Sequence, residues 1–250
     1  MLREERQSII INLLNEKGVI KVSDITDIIN VTEMTVRRDL HELDKKGLLK
    51  RIHGGAKLNE SVINRELSHN EKQNININAK IDIAKKISEL INDGDCIFLG
   101  AGTTIELVYD YIKANYLKIV TNSIYVFNRF VNDQRYELIL IGGSYRNRTG
   151  AFVGSIANDT LSKIKINKSF IGVNGIYDNA VSNYSEDEGM IQATVLNNSL
   201  EKYIIADSSK LNKNDFYHFY DLENTTAIVT DKNISEKNKE RYSQYTKLIY

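Results

Sequence analysis

The strongest constraint on the fold is a series of six short apolar runs that alternate with segments of helical pattern from residue 77 onward. Strands that are apolar on both faces occur in parallel sheets covered by helices on both sides. The sequence therefore predicts an α/β domain over residues 77–250, built on a mostly parallel sheet. The predicted strands are Cys96–Leu99, Leu117–Val120, Leu138–Ile141, Phe170–Val173, Tyr203–Ala206 and Ala227–Thr230.

The charge balance and the cysteine count exclude several classes of protein. The 250 residues include 33 basic and 33 acidic side chains, which excludes a uniformly basic nucleic-acid coat. A single cysteine excludes an intramolecular disulfide and fits a reducing compartment. No run approaches the roughly 20 apolar residues of a membrane span, and the charged amino terminus leads into no signal peptide. We therefore expect a cytoplasmic protein with no membrane partner.

The first 58 residues carry a different pattern, in which three helical segments precede a short hairpin. Ser23 and Thr32 are predicted to cap the second and third helices, and Gly47 is predicted to end the third. The predicted helices cover residues 2–16, 24–29 and 33–46, and the predicted strands cover 19–22, 48–52 and 56–58. This order predicts a winged helix-turn-helix domain over residues 1–58. The polar segment 59–76 is predicted to be a linker that can contain a short helix.

The third predicted helix has one apolar and one cationic face. At about 100° per residue, Leu40 and Leu43 fall within about 40° of Val36 and form a buried stripe. The opposite face presents Met34, Arg37, Arg38 and His41. Such a helix fits the major groove of DNA, where arginine pairs with guanine and neutralises phosphate. A solvated surface helix, with its arginines paired to Asp39 or Glu42, is the alternative.

The hairpin that follows adds to the local positive charge. Residues 37–58 contain seven basic and three acidic side chains within a chain that is neutral as a whole. The cationic and imidazole side chains of the hairpin are Lys50, Arg51, His53 and Lys57. Gly54 and Gly55 are predicted to let its tip approach a sugar-phosphate backbone closely. Each of these residues is ordinary in a turn, but together with the cationic helix they predict binding to double-stranded DNA.

Four loops of the second domain, each just after a predicted strand, are rich in groups that bind anions. They are residues 100–104, 121–123, 142–146 and 207–210. The first presents backbone N–H groups and two hydroxyls at a helix start, and the last two add Arg146 and Lys210. Ligands of open α/β sheets bind at the carboxyl ends of the strands, so these loops are predicted to converge there. Taken singly, each loop is also explained by turn chemistry or helix capping.

Two motifs make the amino-terminal pattern specific. Val31–Leu40 is VTEMTVRRDL, and Gly47–Ala56 is GLLKRIHGGA. Together they closely resemble the DNA-binding module of the DeoR family of bacterial transcription regulators, over essentially all of residues 3–58. The resemblance implies that the third helix docks in operator DNA through Thr35, Arg37 and Arg38. With the cationic face and the wing, the predicted DNA-binding residues are Thr32, Met34, Thr35, Arg37, Arg38, His41, Arg51, His53, Gly54 and Gly55.

Residues 77–250 resemble the effector domain of the same family. The motifs GTT, TNS, GG with Arg146, IGVNGI, Glu188 and DSSK occur in the family order. The resemblance implies a fold like that of ribose-5-phosphate isomerase, in a domain that senses a phosphorylated sugar or a related metabolite. The implied effector contacts are Gly102, Thr103, Thr104, Thr121, Asn122, Ser123, Gly143, Arg146, Asn174, Glu188 and Lys210. Gly100 and Gln192 depart from the family's common aspartate and lysine, which predicts a changed choice of sugar hydroxyls.

The combined interpretation is a sequence-specific repressor of a sugar-metabolism operon, relieved or modulated by a phosphorylated sugar. A homo-oligomer, either a dimer or a tetramer, is expected because such proteins bind repeated half-sites. We expect no catalytic residue, no metal and no other cofactor. One alternative is an isomerase-type enzyme with an accessory DNA-binding domain, for which Glu188, Asp207 and Lys210 are available as acid–base groups. Another is a structural DNA-binding protein that senses no metabolite, which would leave the four loops unexplained.

Overall fold

The computed structural model describes residues 3–57 and 66–250 of the chain. Two compact units, Met1–Asn76 and Ile77–Tyr250, make up the protein. The first unit has one hydrophobic core, and the second has two. Within the described ranges, no helix is long and apolar enough to cross a membrane.

The first unit is a winged helix-turn-helix. The elements within its described residues are α1 (Arg3–Lys17), β1 (Val19–Lys21), α2 (Val22–Ile29), α3 (Glu33–Lys45), β2 (Lys50–Ile52), β3 (Gly55–Lys57) and α4 (His69–Lys72). The middle strand, β3, pairs antiparallel with both β1 and β2. The predicted three helices and hairpin are thus confirmed. The end of the last predicted strand and the first part of the predicted linker lie in residues 58–65, outside the described ranges.

A tight turn joins α2 to α3. Asn30 ends α2 in the left-handed conformation, with φ 51° and ψ 53°. Thr32 caps α3 as predicted, because its hydroxyl accepts a hydrogen bond from the Thr35 N–H at 3.4 Å. Gly47 follows α3 with a φ of 71°, a conformation that costs glycine little. The local sequence therefore determines where α3 begins and ends.

Ser23 does not cap α2, contrary to the prediction. The helix begins at Val22, and its N-cap residue is Lys21, which makes no side-chain capping bond. The Val22 N–H donates to the carbonyl of Gly54 in the wing at 2.9 Å. The wing thus satisfies the helix start, and the pattern around Ser23 could not reveal this long-range bond.

The second unit is an α/β domain around a seven-stranded parallel sheet. Its helices are α5 (Ile77–Glu89), α6 (Thr103–Glu106), α7 (Ile124–Phe130), α8 (Ser155–Leu161), α9 (Glu186–Asn197) and α10 (Glu236–Ser243). Its strands are β4 (Cys96–Leu99), β5 (Leu117–Thr121), β6 (Tyr136–Leu140), β7 (Ser144–Arg146), β8 (Ala151–Val153), β9 (Ile166–Gly172), β10 (Gly175–Tyr177), β11 (Ala180–Asn183), β12 (Ser199–Ile205), β13 (Tyr217–Asp221), β14 (Ala227–Val229) and β15 (Lys247–Ile249). The parallel sheet has the order β15-β14-β12-β9-β4-β5-β6. Each of the six predicted strands falls on one of its members, so the predicted sheet is confirmed.

Helices cover both faces of the parallel sheet, as the doubly apolar strands predict. On one face α5, α6 and α7 bury Ile83, Ile105 and Phe130. On the other face α8 and α9 bury Leu161 and Val195. The helices leave uncovered the edge of the sheet formed by the carboxyl ends of its strands, and the loops lie there.

Three parts of this unit carry weak sequence signals. β7 and β8 form an antiparallel hairpin, β10-β11-β13 form a second sheet, and β15 lies at one edge of the parallel sheet. These strands are short and several of their residues are polar or exposed, so neither alternation nor an apolar run marks them. The hairpin and the second sheet stand beside the ends of the parallel strands, since Phe152 bonds to Asn122 and Asn183 bonds to Asn174.

Candidate functional site

The helix α3 presents the cationic face that the sequence predicts. Val36, Leu40 and Leu43 are buried in the core of the first unit. The exposed side chains of the helix include Met34, Arg37, Arg38 and His41, together with Glu33 and Lys45. Met34 is 77% exposed, and the side chain of Arg38 is 78% exposed. The helix therefore turns two guanidinium groups, an imidazole and a thioether away from its own core.

The two arginines form exposed ion pairs along α3. Arg37 pairs with Glu33 at 3.1 Å, and Arg38 pairs with Glu42 at 3.8 Å, each one helical turn away. Exposed pairs of this kind are worth roughly 0–1 kcal/mol, so a phosphate or a guanine edge can replace them at little cost. Ion pairing within the helix is therefore compatible with a role in DNA binding.

Asp39 is buried and pairs with α1, whereas the sequence suggested only a surface pair with Arg37 or Arg38. Its buried carboxylate accepts two hydrogen bonds from Arg6 of α1, at 2.7 and 3.2 Å. Glu42 extends this α1–α3 clamp by accepting a hydrogen bond from Gln7 at 2.9 Å. The hydrogen bond to Asp39 raises the pKa of the Arg6 guanidinium, although partial burial opposes the shift. A signal existed, because Asp39 falls about 60° from Val36 on the helical wheel, beside the buried stripe.

The wing is held against α3 through Arg51. Its N–H donates to Asp44 Oδ1 at 3.3 Å, and its guanidinium lies 3.4 Å from His41 Nδ1. Arg51, His53 and Gly54 are all exposed on the wing. Gly54 has a left-handed φ of 76°, a backbone conformation that glycine adopts more readily than other residues. The wing and the helix thus form one continuous cationic surface.

Gly55 is buried, which corrects the interpretation that it lets the wing approach DNA. A Cβ atom at this position would overlap the carbonyl oxygen of Ile20, because β3 pairs closely with β1 there. The packing of the wing sheet therefore explains this glycine.

Thr32 and Thr35 lie near the start of α3 with their hydroxyl oxygens 3.0 Å apart, and Thr32 is exposed.

The predicted effector loops lie along one edge of the parallel sheet. They lie at the carboxyl ends of β4, β5, β6 and β12, and Val173 and Asn174 follow β9. These five strands are neighbours in the order β12-β9-β4-β5-β6. Neighbouring strands are about 4.8 Å apart, so the loops extend over about 19 Å. The loops on β12, β9 and β4 belong to three adjacent strands, and those on β5 and β6 lie further along the edge.

The Gly-Thr-Thr turn offers hydroxyl groups that the fold does not use. Gly102 is the N-cap residue of α6, with a φ of 155°, and Thr103 and Thr104 form the first turn. Thr104 is only 8% exposed. Neither threonine hydroxyl is hydrogen-bonded within the described part of the chain. The hydroxyls of these two described threonines are therefore available to bond to a ligand at this turn.

The Thr-Asn-Ser loop after β5 serves the fold. Thr121 donates to the Leu99 carbonyl at 2.7 Å, and the Asn122 side chain donates to the Phe152 carbonyl at 3.0 Å. The hydroxyl of Ser123 caps α7. All three side chains are buried. They hold β4, β8 and α7 together, and so support the sheet edge from within.

Arg146 and Glu188 meet between the β7–β8 hairpin and α9. Arg146 Nη1 donates to Glu188 Oε1 at 3.1 Å, and the Thr149 hydroxyl donates to the same oxygen. Gly143 lies just before the hairpin, where a Cβ atom would come within 2.5 Å of the Val153 carbonyl oxygen. Close packing therefore explains the glycine, while the ion pair brings two predicted effector contacts together.

The Lys210 ammonium and Asn174 lie at the end of β9. Lys210 Nζ donates to the Val173 carbonyl at 2.5 Å. The Asn174 N–H donates to Asn183 Oδ1 at 2.8 Å, and its side chain donates to Asp215 at 2.8 Å. The lysine thus extends from the end of β12 to the neighbouring strand, and places a positive charge at the end of β9, which lies between β12 and β4.

Gln192 and Gly100, the two residues that depart from the family pattern, both form hydrogen bonds within the domain. Gln192 is buried, donates to the Gly172 carbonyl at 3.2 Å and accepts from Asn183 at 2.6 Å. The Gly100 N–H donates to the Phe170 carbonyl at 3.1 Å. A neutral amide at position 192 makes the surroundings one charge less positive than a lysine would.

Both units are similar to known proteins. A family model described as "DeoR-like helix-turn-helix domain" matches residues 6–62, and one described as "DeoR C terminal sensor domain" matches residues 75–232. Lactose phosphotransferase system repressors of Staphylococcus epidermidis and Streptococcus mutans are each 41% identical to this chain, with 100% of both chains covered. The repressor of the same name from Lactococcus lactis subsp. lactis is 40% identical, covering 100% of this chain and 99% of its own.

Solved structures resemble part of the chain at a lower level. Ribose 5-phosphate isomerase A from Methanocaldococcus jannaschii has a TM-score of 0.38 and 17% identity, over 54% of this chain and 55% of that one. The eIF2B beta structure from Chaetomium thermophilum has a TM-score of 0.44 and 13% identity, over 68% and 54%. Scores this low support no functional inference.

Proposed function

Because the chain belongs to the DeoR family of transcription regulators, we propose that it represses an operon for a sugar imported by a phosphotransferase system, and that a phosphorylated sugar releases it from DNA. The chain is a DNA-binding regulator and not an enzyme. One observation carries the proposal, which is the 41% identity to lactose phosphotransferase system repressors over the full length of both chains. That similarity includes the DNA-binding unit and the sensor unit together.

The DNA half of the proposal rests on α3 and the wing. The exposed guanidinium groups of Arg37 and Arg38 can pair with guanine edges or phosphates, and the N–H groups at the start of α3 favour phosphate. Arg51 and His53 extend the contact to the next stretch of backbone. The proposed contacts are Thr32, Met34, Thr35, Arg37, Arg38, His41, Arg51, His53 and Gly54. A dimer reading two half-sites would double this surface, which is small in one chain.

The effector half rests on the loops after β12, β9 and β4. Strands two apart in a sheet are separated by about 10 Å, so one sugar phosphate can bridge the outer two of these loops. We assign the phosphate to the backbone and hydroxyls of Thr103 and Thr104 and to the Lys210 ammonium, because these are anion-binding groups. The sugar hydroxyls are assigned to Asn174, Arg146 and Glu188.

Glu188 belongs to this group by its place on α9. It lies one turn before Gln192, so the two side chains share a helix face. Gln192 bonds to the Gly172 carbonyl at the end of β9. The face that carries Glu188 therefore points to the same sheet edge. Thr121, Asn122, Ser123 and Gly143 are assigned a supporting role beneath the ligand.

The proposed domain limits separate DNA binding from effector binding. Residues 1–58 bind DNA, residues 59–76 link the two parts, and residues 77–250 bind the effector. Binding of the sugar phosphate is coupled to release from DNA with a free energy of about 1–3 kcal/mol, the usual range for such linkage.

The test is release of the wild-type protein from DNA. Labelled duplexes from the chain's own promoter and from neighbouring promoters are titrated with the full chain by fluorescence anisotropy. Galactose 6-phosphate, glucose 6-phosphate, fructose 1-phosphate and ribose 5-phosphate are then added separately. We expect one of them to weaken binding about 5- to 150-fold, and the unphosphorylated sugars to have no effect. Binding without sequence preference would contradict the DNA half, and indifference to every sugar phosphate would contradict the effector half.

A further inference from the structure

The turn that presents Lys210 is held by a carboxylate from a different strand. Asp231 follows β14, the neighbour of β12 in the sheet, and it is 1% exposed. Its Oδ1 accepts a hydrogen bond from the Ser208 N–H at 2.6 Å, and its Oδ2 accepts one from the Ser208 hydroxyl at 3.2 Å. The Asn233 N–H also donates to Oδ2, at 3.2 Å. The first residue of the turn is therefore fixed from the side by Asp231.

A second buried carboxylate fixes the same turn from its own strand. Asp207 Oδ1 accepts the Ser209 N–H at 3.1 Å and also the Ser209 hydroxyl. Since the register pairs Ile205 with Val229, positions 207 and 231 are equivalent points two residues beyond the paired strands. The two carboxylates thus engage N–H and hydroxyl groups that a free turn would offer to an anion.

Lys210 carries the positive charge of this turn, the kind of group that binds an anion. Its ammonium donates to the Val173 carbonyl at 2.5 Å, which places the charge at the end of β9. A lysine side chain loses much conformational freedom when it is fixed by a ligand. Holding both its backbone and its ammonium in advance reduces that loss, and so strengthens binding.

We propose that Asp231 is a positioning residue of the effector site, which holds the Ser208–Lys210 turn so that the ammonium of Lys210 stays at the carboxyl end of β9 and meets an anionic group there. The inference rests on the proposed function, in which Lys210 contacts a phosphorylated sugar. Asp231 acts through the turn and does not touch the effector itself. Because Asp231 follows β14, effector binding then depends on this strand as well as on β12, β9 and β4.

The test is a double-mutant cycle in the full chain, with binding measured by isothermal titration calorimetry. Galactose 6-phosphate is the probe, and inorganic phosphate is the minimal second probe. Asp231→Asn keeps the shape of the side chain but cannot accept all three hydrogen bonds, so we expect about tenfold weaker binding. Lys210→Ala is expected to weaken binding about 10- to 100-fold. In the Lys210→Ala background, Asp231→Asn should add less than about twofold.

Asp93→Asn is the matched control. Asp93 also accepts backbone N–H groups, from Asn115 at 2.5 Å and Tyr116 at 3.4 Å, but it precedes β4 and so lies at the opposite edge of the sheet. This variant should leave probe binding unchanged. Asp231→Asn without effector should keep the operator affinity of the wild type, which separates positioning from a general loss of structure.

Two results would overturn the role of Asp231 alone. One is an equal effect of Asp231→Asn with and without Lys210, and the other is normal binding by Asp231→Asn while Lys210→Ala binds weakly. Both would leave the proposed function standing. Normal binding by Lys210→Ala, or a wild type that binds neither probe, would contradict the proposed effector contacts and this inference with them.

Discussion

Removal of Asp39 tests how the DNA-reading surface is held in place. Breaking a buried ion pair by removing one partner costs about 3–5 kcal/mol, because the remaining charge is left unpaired. The Asp39 side chain is 3% exposed and that of Arg6 is 15% exposed, so the stranded guanidinium still reaches some water. We therefore expect Asp39→Ala to destabilise the first unit by about 3 kcal/mol, the lower end of that range. The exposed pair of Arg37 and Glu33 should be worth roughly 0–1 kcal/mol.

Hydrogen exchange followed by mass spectrometry measures this difference unit by unit, which suits a chain without tryptophan. Amides of α1 and α3 should exchange about 100-fold faster in Asp39→Ala, while those of the parallel sheet should not change. Glu33→Ala, the control from the same helix, should change exchange by less than about fivefold. Similar effects of the two variants would refute the claim that the α1–α3 clamp fixes the recognition helix.

Three further perturbations test the packing and the electrostatics. Gly55→Ala should destabilise the first unit by about 1–3 kcal/mol, because its Cβ atom would overlap the Ile20 carbonyl; unchanged exchange of β1 amides would contradict this. Thr121→Val should cost the second unit about 1–3 kcal/mol in urea unfolding, because the buried hydroxyl that donates to the Leu99 carbonyl and accepts the Ser123 N–H is lost, and the effector concentration for half release should stay the same. The N–H of Asn115 holds the pKa of the Asp93 carboxyl below its usual value. The ionised Asp93 carboxylate therefore adds to the free energy of unfolding above about pH 4, and this contribution is lost as the pH falls further. The melting temperature of Asp93→Asn should therefore fall less steeply than that of the wild type between about pH 4 and pH 2, and identical slopes would refute the assignment.

Periodicity predicted the parts of the fold that bury a regular apolar pattern. The strands of the parallel sheet are continuous apolar runs, and the stripe of Val36, Leu40 and Leu43 follows the helical period, so that one sequence window contains each signal. Elements whose partners lie far away in the chain were not predictable in this way. The start of α2 depends on Gly54, and the edge strand β15 is ordered by pairing with β14.

For the candidate sites, the sequence predicted which types of residue are present, but not which of them bond within the fold and which are available to a ligand. Thr104 and Thr121 are both threonines near the carboxyl ends of neighbouring strands. Only the structure shows that Thr121 bonds to a carbonyl, while the Thr104 hydroxyl has no partner in the described part of the chain. Asp231 has no motif of its own, because its role follows from the register of β14 beside β12. Such roles depend on which neighbour a side chain reaches, and spacing along one strand does not contain that information.

The most direct measurement compares Arg38→Ala and Thr104→Val in the same pair of assays, operator binding by anisotropy and sugar-phosphate binding by calorimetry. Arg38→Ala should weaken operator binding about tenfold or more and leave sugar-phosphate binding unchanged. Thr104→Val should keep operator affinity and weaken sugar-phosphate binding about tenfold, which raises the concentration needed for release. The opposite pattern, or two variants that behave like the wild type in both assays, would contradict the assignment of DNA reading to α3 and of effector binding to the sheet edge.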